Sequence, residues 1–160
     1  KDFPLPIAIV QHRGKAEDDA LERLLAAQTS LRVYEPNDKD PLGAGRVYLA
    51  PADYHLLIEP ESVALSTAPP RNFARPSIDV LFESAADAHG SGVVAVVLTG
   101  SNHDGAAGAR YVKERGGRIL VEDPATAQAG IMPAGAIAAT AVDAVLPLPA
   151  LSARLIAACV

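Results

Sequence analysis

The feature that most constrains this chain is an abrupt change of character at residue 98. Val93-Val94-Ala95-Val96-Val97-Leu98 is an unbroken apolar run, and Thr99-Gly100-Ser101-Asn102-His103-Asp104-Gly105 follows it at once. A short β-branched run after a glycine reads as a strand covered on both faces, as in a parallel sheet. The polar stretch reads as a loop, and residues 106–115 read as a helix. Strand, polar loop and helix make the repeating step of an open α/β sheet, in which ligands bind beyond the carboxyl ends of the strands. The loop therefore sets an acid, an imidazole, a hydroxyl and an amide where chemistry is done in such folds.

The same signals recur along the chain. Apolar runs predict strands at 7–10, 32–34, 47–49, 93–98, 118–121 and 142–148. Segments 54–58 and 63–66 flank Glu59-Pro60-Glu61-Ser62 and predict a β-hairpin. Helical spacing predicts helices at 16–28, 77–89, 106–115, 133–139 and 150–159. Leu21, Leu24 and Leu25 share a face of the first helix, and Glu17, Asp18 and Asp19 gather in its first turn. Ile78, Leu81, Phe82 and Ala85 share a face of the second. The expected fold class is α/β: a doubly wound, mainly parallel, Rossmann-like sheet with helices on both faces and a β-hairpin addition. With 160 residues and no repeat, long linker or low-complexity tract, a single domain over 1–160 is expected.

Composition narrows the function. The net charge is −5, so there is no general basic face for nucleic acid. The single cysteine, Cys159, excludes an intrachain disulfide. No apolar run approaches the roughly 18 residues of a membrane span. No secretory leader is visible, so a cytoplasmic location is expected.

Several residues could carry chemistry. His12 ends the apolar run at 7–10. It is either a general base or a polar strand-end residue bonded to backbone. Asp104 precedes a helix and reads as its N-cap, with Ser101-x-x-Asp104 spaced like a capping box, or as an acid that orients a histidine. If both strands belonged to one parallel sheet, His12 and Asp104 would meet at one edge and form two-thirds of a nucleophile–His–Asp triad. His103 reads as a solvated loop residue, a substrate contact or a metal ligand, although no metal-ligand spacing accompanies it. Ser101, in Gly100-Ser101-Asn102, lacks the second glycine of a G-x-S-x-G nucleophile elbow, so a capping or hydrogen-bonding role is the simpler one. Backbone N–H groups of the loop could hold an oxyanion, or the loop could cradle a phosphate, against which the acid argues. Arg75, before Pro76, could grip a substrate carboxylate or join a surface ion pair. Met132 reads as core packing in an apolar loop before Pro133. His55 and His89 read as structural or solvated.

Taken together, these segments resemble the catalytic domain of the chemotaxis protein-glutamate methylesterase (CheB) family. The resemblance lies in Ile7-Ala8-Ile9-Val10-Gln11-His12, Val47-Tyr48-Leu49-Ala50-Pro51, Arg75-Pro76-Ser77-Ile78-Asp79-Val80-Leu81-Phe82, Leu98-Thr99-Gly100, Asp104-Gly105-Ala106-Ala107-Gly108 and Met132-Pro133. These stretches run in family order over essentially the whole chain.

The resemblance implies a Ser–His–Asp mechanism with His12 as base and Asp104 as orienting acid. It implies Gly100, Ser101, Asn102 and His103 as the oxyanion and substrate loop, and Arg75 and Met132 as substrate contacts. The implied reaction is hydrolysis of γ-glutamyl methyl esters on the cytoplasmic helices of methyl-accepting chemoreceptors, with glutamine deamidation as a second activity. No cofactor or metal is implied. A receiver domain or a kinase is the regulatory partner that it leaves open. The family nucleophile sits in a Gly-x-Ser-x-Gly-Gly loop upstream of the histidine strand. The sequence contains no matching serine, so the expectation is a further strand–loop–helix of about 30 residues ahead of Lys1. The alternative is a non-catalytic, methylesterase-like binding module of a signalling system. Ser101-Asn102 also stands where the family commonly has Met-Gly, at a position that contributes to its oxyanion site.

Overall fold

A computed structural model of the chain describes residues 3–14 and 19–159. The predicted start of the first helix, 16–18, lies outside the described residues. The chain divides into two compact units, 1–77 and 78–160.

The first unit holds β1 (Ile7–Ile9), α1 (Ala20–Gln28), β2 (Arg32–Tyr34), β3 (Arg46–Leu49), β4 (His55–Ile58) and β5 (Val63–Ser66). Strand β3 lies between β1 and β2 and is parallel to both, with Val47 opposite Ile7 on one side and Val33 on the other. A strand flanked on both edges and covered on both faces should be apolar throughout. Val47, Tyr48 and Leu49 are accordingly buried, and Tyr48 reconciles its hydroxyl with burial by donating to the Pro41 carbonyl at 2.7 Å. Strands β4 and β5 form the predicted antiparallel hairpin, with Leu56 opposite Leu65. The apolar face expected of α1 is only partly used: Leu21 and Leu25 are half-buried and Leu24 is 60% exposed.

The second unit holds α2 (Ile78–His89), β6 (Val94–Val97), α3 (Ala106–Glu114), β7 (Arg118–Glu122), α4 (Ile131–Ala139), β8 (Ala144–Leu146) and α5 (Leu148–Cys159). Its strands run parallel in the order β6-β7-β8, and the central β7 buries Ile119, Leu120 and Val121. Parallel strands alternating with helices, plus one hairpin, are the α/β class expected from the sequence. Strands β1 and β6 belong to different units and pair with different neighbours, so strand pairing does not bring His12 and Asp104 to a common edge.

Two helix starts differ from the sequence reading for one reason. Helix α4 begins at Ile131, two residues before Pro133, and α5 at Leu148, one before Pro149. The first turn of a helix has N–H groups with no intrahelical acceptor, so a proline anywhere within it costs no hydrogen bond. Met132 is therefore a buried first-turn residue of α4 and not part of a loop. Strand β7 also extends one residue further than expected, to Glu122.

Helices α2 and α3 approach closely at Gly108. A Cβ there would lie 2.8 Å from Cβ of Phe82 and 3.0 Å from Cα of Asp79. Glycine within a helix ordinarily costs about 1 kcal/mol against alanine. Here the sign reverses, and Gly108→Ala is expected to lower stability by about 1–3 kcal/mol through overpacking, read from a urea unfolding midpoint.

Asp143, just ahead of β8, joins β7 to α3. Its Oδ2 accepts from the Ile119 N–H at 2.7 Å and its carboxylate binds Nζ of Lys113 at 2.8 and 2.9 Å. Burial alone would raise its pKa, but these two hydrogen bonds and the charges of Lys113 and Arg118 hold it below the ordinary value of 3.8. The carboxylate therefore stabilises the fold above that value and ceases to do so as pH falls through its lower, folded value. Asp143→Asn should be less stable than the parent at neutral pH, and the gap should close in acid; thermal unfolding across pH reads this directly.

Candidate functional site

The loop from Leu98 to Gly105 leaves the carboxyl end of β6, and its geometry is set by Asp104, which is 0% exposed. Its Oδ2 accepts from the N–H of Ile78 at 2.7 Å, and its Oδ1 accepts from the N–H groups of Asp79 and Gly105, each at 3.1 Å. Its own N–H donates to Oδ1 of Asn102 at 3.0 Å, a local turn that tightens the loop. The acid is thus a cap, but not of the helix that follows it. Gly105 stands at the N-cap of α3 and offers no side-chain cap, while Asp104 reaches back to the first turn of α2. This corrects the capping box read from Ser101-x-x-Asp104. A sequence pattern sees only the helix next in the chain, whereas packing set a different N-terminus against the acid.

The arrangement is reciprocal. Asp79, buried in the first turn of α2, accepts from the Gly108 N–H of α3 at 2.6 Å through Oδ1. Each acid serves the start of the other's helix. A buried carboxylate needs such donors, and a helix N-terminus, rich in unpaired N–H groups and positive in its dipole, supplies them. Three backbone donors occupy most of the roughly four acceptor positions of the Asp104 carboxylate and fix its orientation.

The rest of the loop is held from its other side. Gly100 donates its N–H to the Ala129 carbonyl at 2.9 Å and accepts from the Met132 N–H at 3.0 Å. A Cβ at Gly100 would fall 1.9 Å from Sδ of Met132, so only glycine lets the methionine pack there. Met132 is thus engaged with the loop backbone. Thr99 donates its N–H to Oε2 of Glu122 at 2.7 Å, and its hydroxyl accepts from the Ala129 N–H at 2.8 Å. Ser101 and His103 are exposed and Asn102 is half-buried. Beside the loop, Leu98, Thr99, Glu122, Gln128, Pro147 and Leu148 help to line a shallow cavity of about 360 Å³. Among the described residues its lining includes an acid and no cation, which suits an anionic ligand poorly. Among the described residues no group of three His, Cys, Asp or Glu side chains gathers as a metal site.

In the first unit, His12 follows β1 at its carboxyl end and is half-buried. The next residue is one that sequence reasoning missed. Arg13 has a side chain 2% exposed; its Nη2 pairs with Oε1 of Glu35 and donates to the Ala50 carbonyl at 2.8 Å. Its Nε and Nη1 are buried and have no acceptor among the described residues. Glu35 and Ala50 directly follow β2 and β3, so Arg13 ties the carboxyl ends of three parallel strands together beside His12. The signal was available, since opposite charges stand just past parallel strands that share a neighbour.

Arg75 is committed to its own unit. Its Nε and Nη2 donate to Oδ1 of Asp53 at 3.0 and 2.7 Å, and Nη1 donates to the carbonyls of Thr67 and Ala68 at 2.8 and 3.0 Å. His55 is buried, and its Nδ1 accepts from the Ser77 N–H at 3.2 Å, so Nε2 carries the proton and donates to the Pro69 carbonyl at 3.1 Å.

Parallel strands joined through helices, with an acid-bearing loop at a strand's carboxyl end, define the class: an α/β domain whose chemistry belongs at the strand ends. Comparison with known proteins gives the family. The CheB methylesterase family matches residues 1–155. A Leptospira interrogans protein, provisionally named a protein-glutamate methylesterase/protein-glutamine glutaminase, is 45% identical over 147 residues, which is 91% of this chain and 76% of that protein. Protein-glutamate methylesterase/protein-glutamine glutaminase 2 of Anaeromyxobacter dehalogenans is 44% identical over 92% of this chain, which spans 43% of that protein. The crystal structure of the Thermotoga maritima CheB methylesterase catalytic domain superposes with a TM-score of 0.93 at 34% identity, covering 97% of this chain and 84% of that one. The chain belongs to the CheB methylesterase family.

The crossed caps predict graded losses. Asp79→Ala, which leaves the Gly108 N–H without its acceptor, should cost about 1–3 kcal/mol. Asp104→Ala, which strands three N–H groups, should cost more, and Asp104→Asn, which keeps one oxygen, should cost less than Asp104→Ala. Urea denaturation of the three variants orders them.

Proposed function

We propose that this chain carries the acid–base residues of a serine-type protein-glutamate methylesterase that removes methyl groups from glutamate side chains on the cytoplasmic helices of chemoreceptors. Glutamine deamidation at the same sites is the second activity. The observation that supports this reading best is Asp104, a buried carboxylate aimed by three backbone N–H groups in the family's Asp-Gly-Ala-Ala-Gly stretch. An acid that orients a catalytic imidazole must itself be immobile, and this one is.

In the proposed mechanism, His12 is the general base, Asp104 holds its tautomer and orientation, and the nucleophile is a serine in a Gly-x-Ser-x-Gly-Gly loop N-terminal to Lys1. His12 takes the serine proton as the oxygen attacks the ester carbonyl. The tetrahedral intermediate collapses, and methanol leaves with that proton. His12 then takes a proton from water, which attacks the acyl-enzyme, and returns it to the serine as free glutamate is released. With glutamine the first leaving group is ammonia. Ser101, Asn102 and His103 are assigned to the substrate side of the loop. Arg75 and Met132 are assigned supporting roles, because each is bound within its own unit. A cytoplasmic location is part of the same proposal, since the receptor helices named as substrate are cytoplasmic.

Methanol release from a methylated receptor tests this in the full-length protein. His12→Ala is expected to lower kcat by about 10⁴-fold and Asp104→Asn by about 10³–10⁴-fold, both in protein that still unfolds cooperatively. Near-parental rates in either folded variant would remove the assignment.

A further inference from the structure

The second unit buries a further acid that the reaction does not use. Glu122 ends β7 and is only 5% exposed. Its Oε2 accepts from the Thr99 N–H at 2.7 Å, and its Oε1 has no donor among the described residues. Asp104, also buried, has three backbone donors. A buried carboxylate short of donors is costly unless a cation or water completes it. Helix α5 begins beside Glu122 but brings it little. Pro149 has no N–H, and those of Ala150 and Leu151 donate to the Pro147 carbonyl at 2.9 and 3.1 Å.

Glu122 stands in the wall of the shallow cavity at the carboxyl ends of β6, β7 and β8, all within the second unit. Leu98, Pro147, Leu148 and Pro149 make an apolar wall around it. Leu98 and Leu148 are 42% and 54% exposed, so the apolar surface continues to the mouth. A group that fits here is apolar along its length and carries a hydrogen-bond donor at its tip. A carboxylate favours a cationic donor, because the charge strengthens the bond. The two common cationic side chains make different demands. A guanidinium pairs best with both oxygens of a carboxylate, and here Oε2 is engaged by Thr99. An ammonium is a compact charge that one oxygen can hold, on a stem of methylenes that packs against apolar walls.

We propose that this cavity binds a lysine side chain, with its ammonium on Oε1 of Glu122 and its methylenes against Leu98 and Leu148. A lysine carried on a protein suits the site better than a free amine. The carrier covers the two leucines at the mouth, which a small amine leaves in water. Thr99 also opens the loop whose Ser101, Asn102 and His103 are assigned to the substrate side, so the carrier is the protein substrate of the esterase. Naming the carrier rests on the function proposed above, whereas the lysine site stands on the cavity and its acid.

Amide NMR of the full-length protein tests this, with the Thr99 N–H as reporter because it bonds to the same carboxylate. The probe is capped lysine, Nα-acetyl-lysine N-methylamide, compared with capped norleucine and capped arginine. Lysine should bind with a Kd at least about tenfold below either. Glu122→Gln keeps an oxygen for the Thr99 N–H and so should keep the fold. It should raise Kd for lysine at least about tenfold and leave norleucine unchanged. Norleucine binding the parent as tightly as lysine, or no probe moving the Thr99 amide, would overturn the site, the acid then being completed by water alone. Arginine binding as tightly would overturn the choice of lysine. n-Butylammonium binding more tightly than capped lysine would place a free amine there and overturn the protein carrier. Because binding is read without turnover, a lysine-binding protein that releases no methanol would support the site and count against the esterase.

Discussion

Two buried carboxylates, each capping the other's helix, are the constraint on which the second unit depends. Asp104 on the loop after β6 takes the first N–H groups of α2, and Asp79 in α2 takes an N–H of α3. Neither acid could be buried alone, because an ionised carboxylate without donors is too costly to remove from water. Neither helix start could be buried without an acceptor. The exchange satisfies both requirements and leaves a loop whose acid cannot swing. The Gly108 contact belongs to the same device: without a Cβ, α3 comes close enough to α2 for the Asp79 bond to reach.

The device explains how one residue can be structural and functional without conflict. The rigidity that makes Asp104 a good cap is the rigidity that the proposed orienting acid requires. His12 has a comparable support in the first unit, where the buried Arg13 gathers the ends of three strands beside it. In both places a charged side chain near a strand's carboxyl end is fixed by backbone groups of neighbouring elements, in keeping with the α/β habit of placing chemistry there.

Much of the fold was legible in the sequence because its signals are local. Apolar runs such as 93–98 and the hairpin flanking Pro60 depend on period and turn chemistry, which neighbours in the chain carry. Misreadings arose where the deciding contact is distant. Asp104 looks like a cap for the following helix, and only packing shows that it serves α2. Glu122 looks like the residue that closes a strand, yet it belongs to β7, where it stands opposite Leu146 of β8. Pro133 looks like a helix start and Pro149 like the residue before one, whereas the first turn tolerates proline at several positions, so α4 and α5 begin earlier. Arg13 was overlooked because its partners lie 22 and 37 residues away. The family motifs, by contrast, were readable as strings, and comparison with relatives bears out the family.

The central claim is that His12 and Asp104 activate a serine, and a fluorophosphonate probe tests it most directly. Such a probe phosphonylates only a serine whose proton is being removed, and it expels fluoride as it does so. The full-length protein should gain one phosphonyl group on the serine of a Gly-x-Ser-x-Gly-Gly loop, located by peptide mass spectrometry. Folded His12→Ala and Asp104→Asn variants should label far more slowly. A parent protein that takes up no label, or variants that label as fast as the parent, would contradict the account.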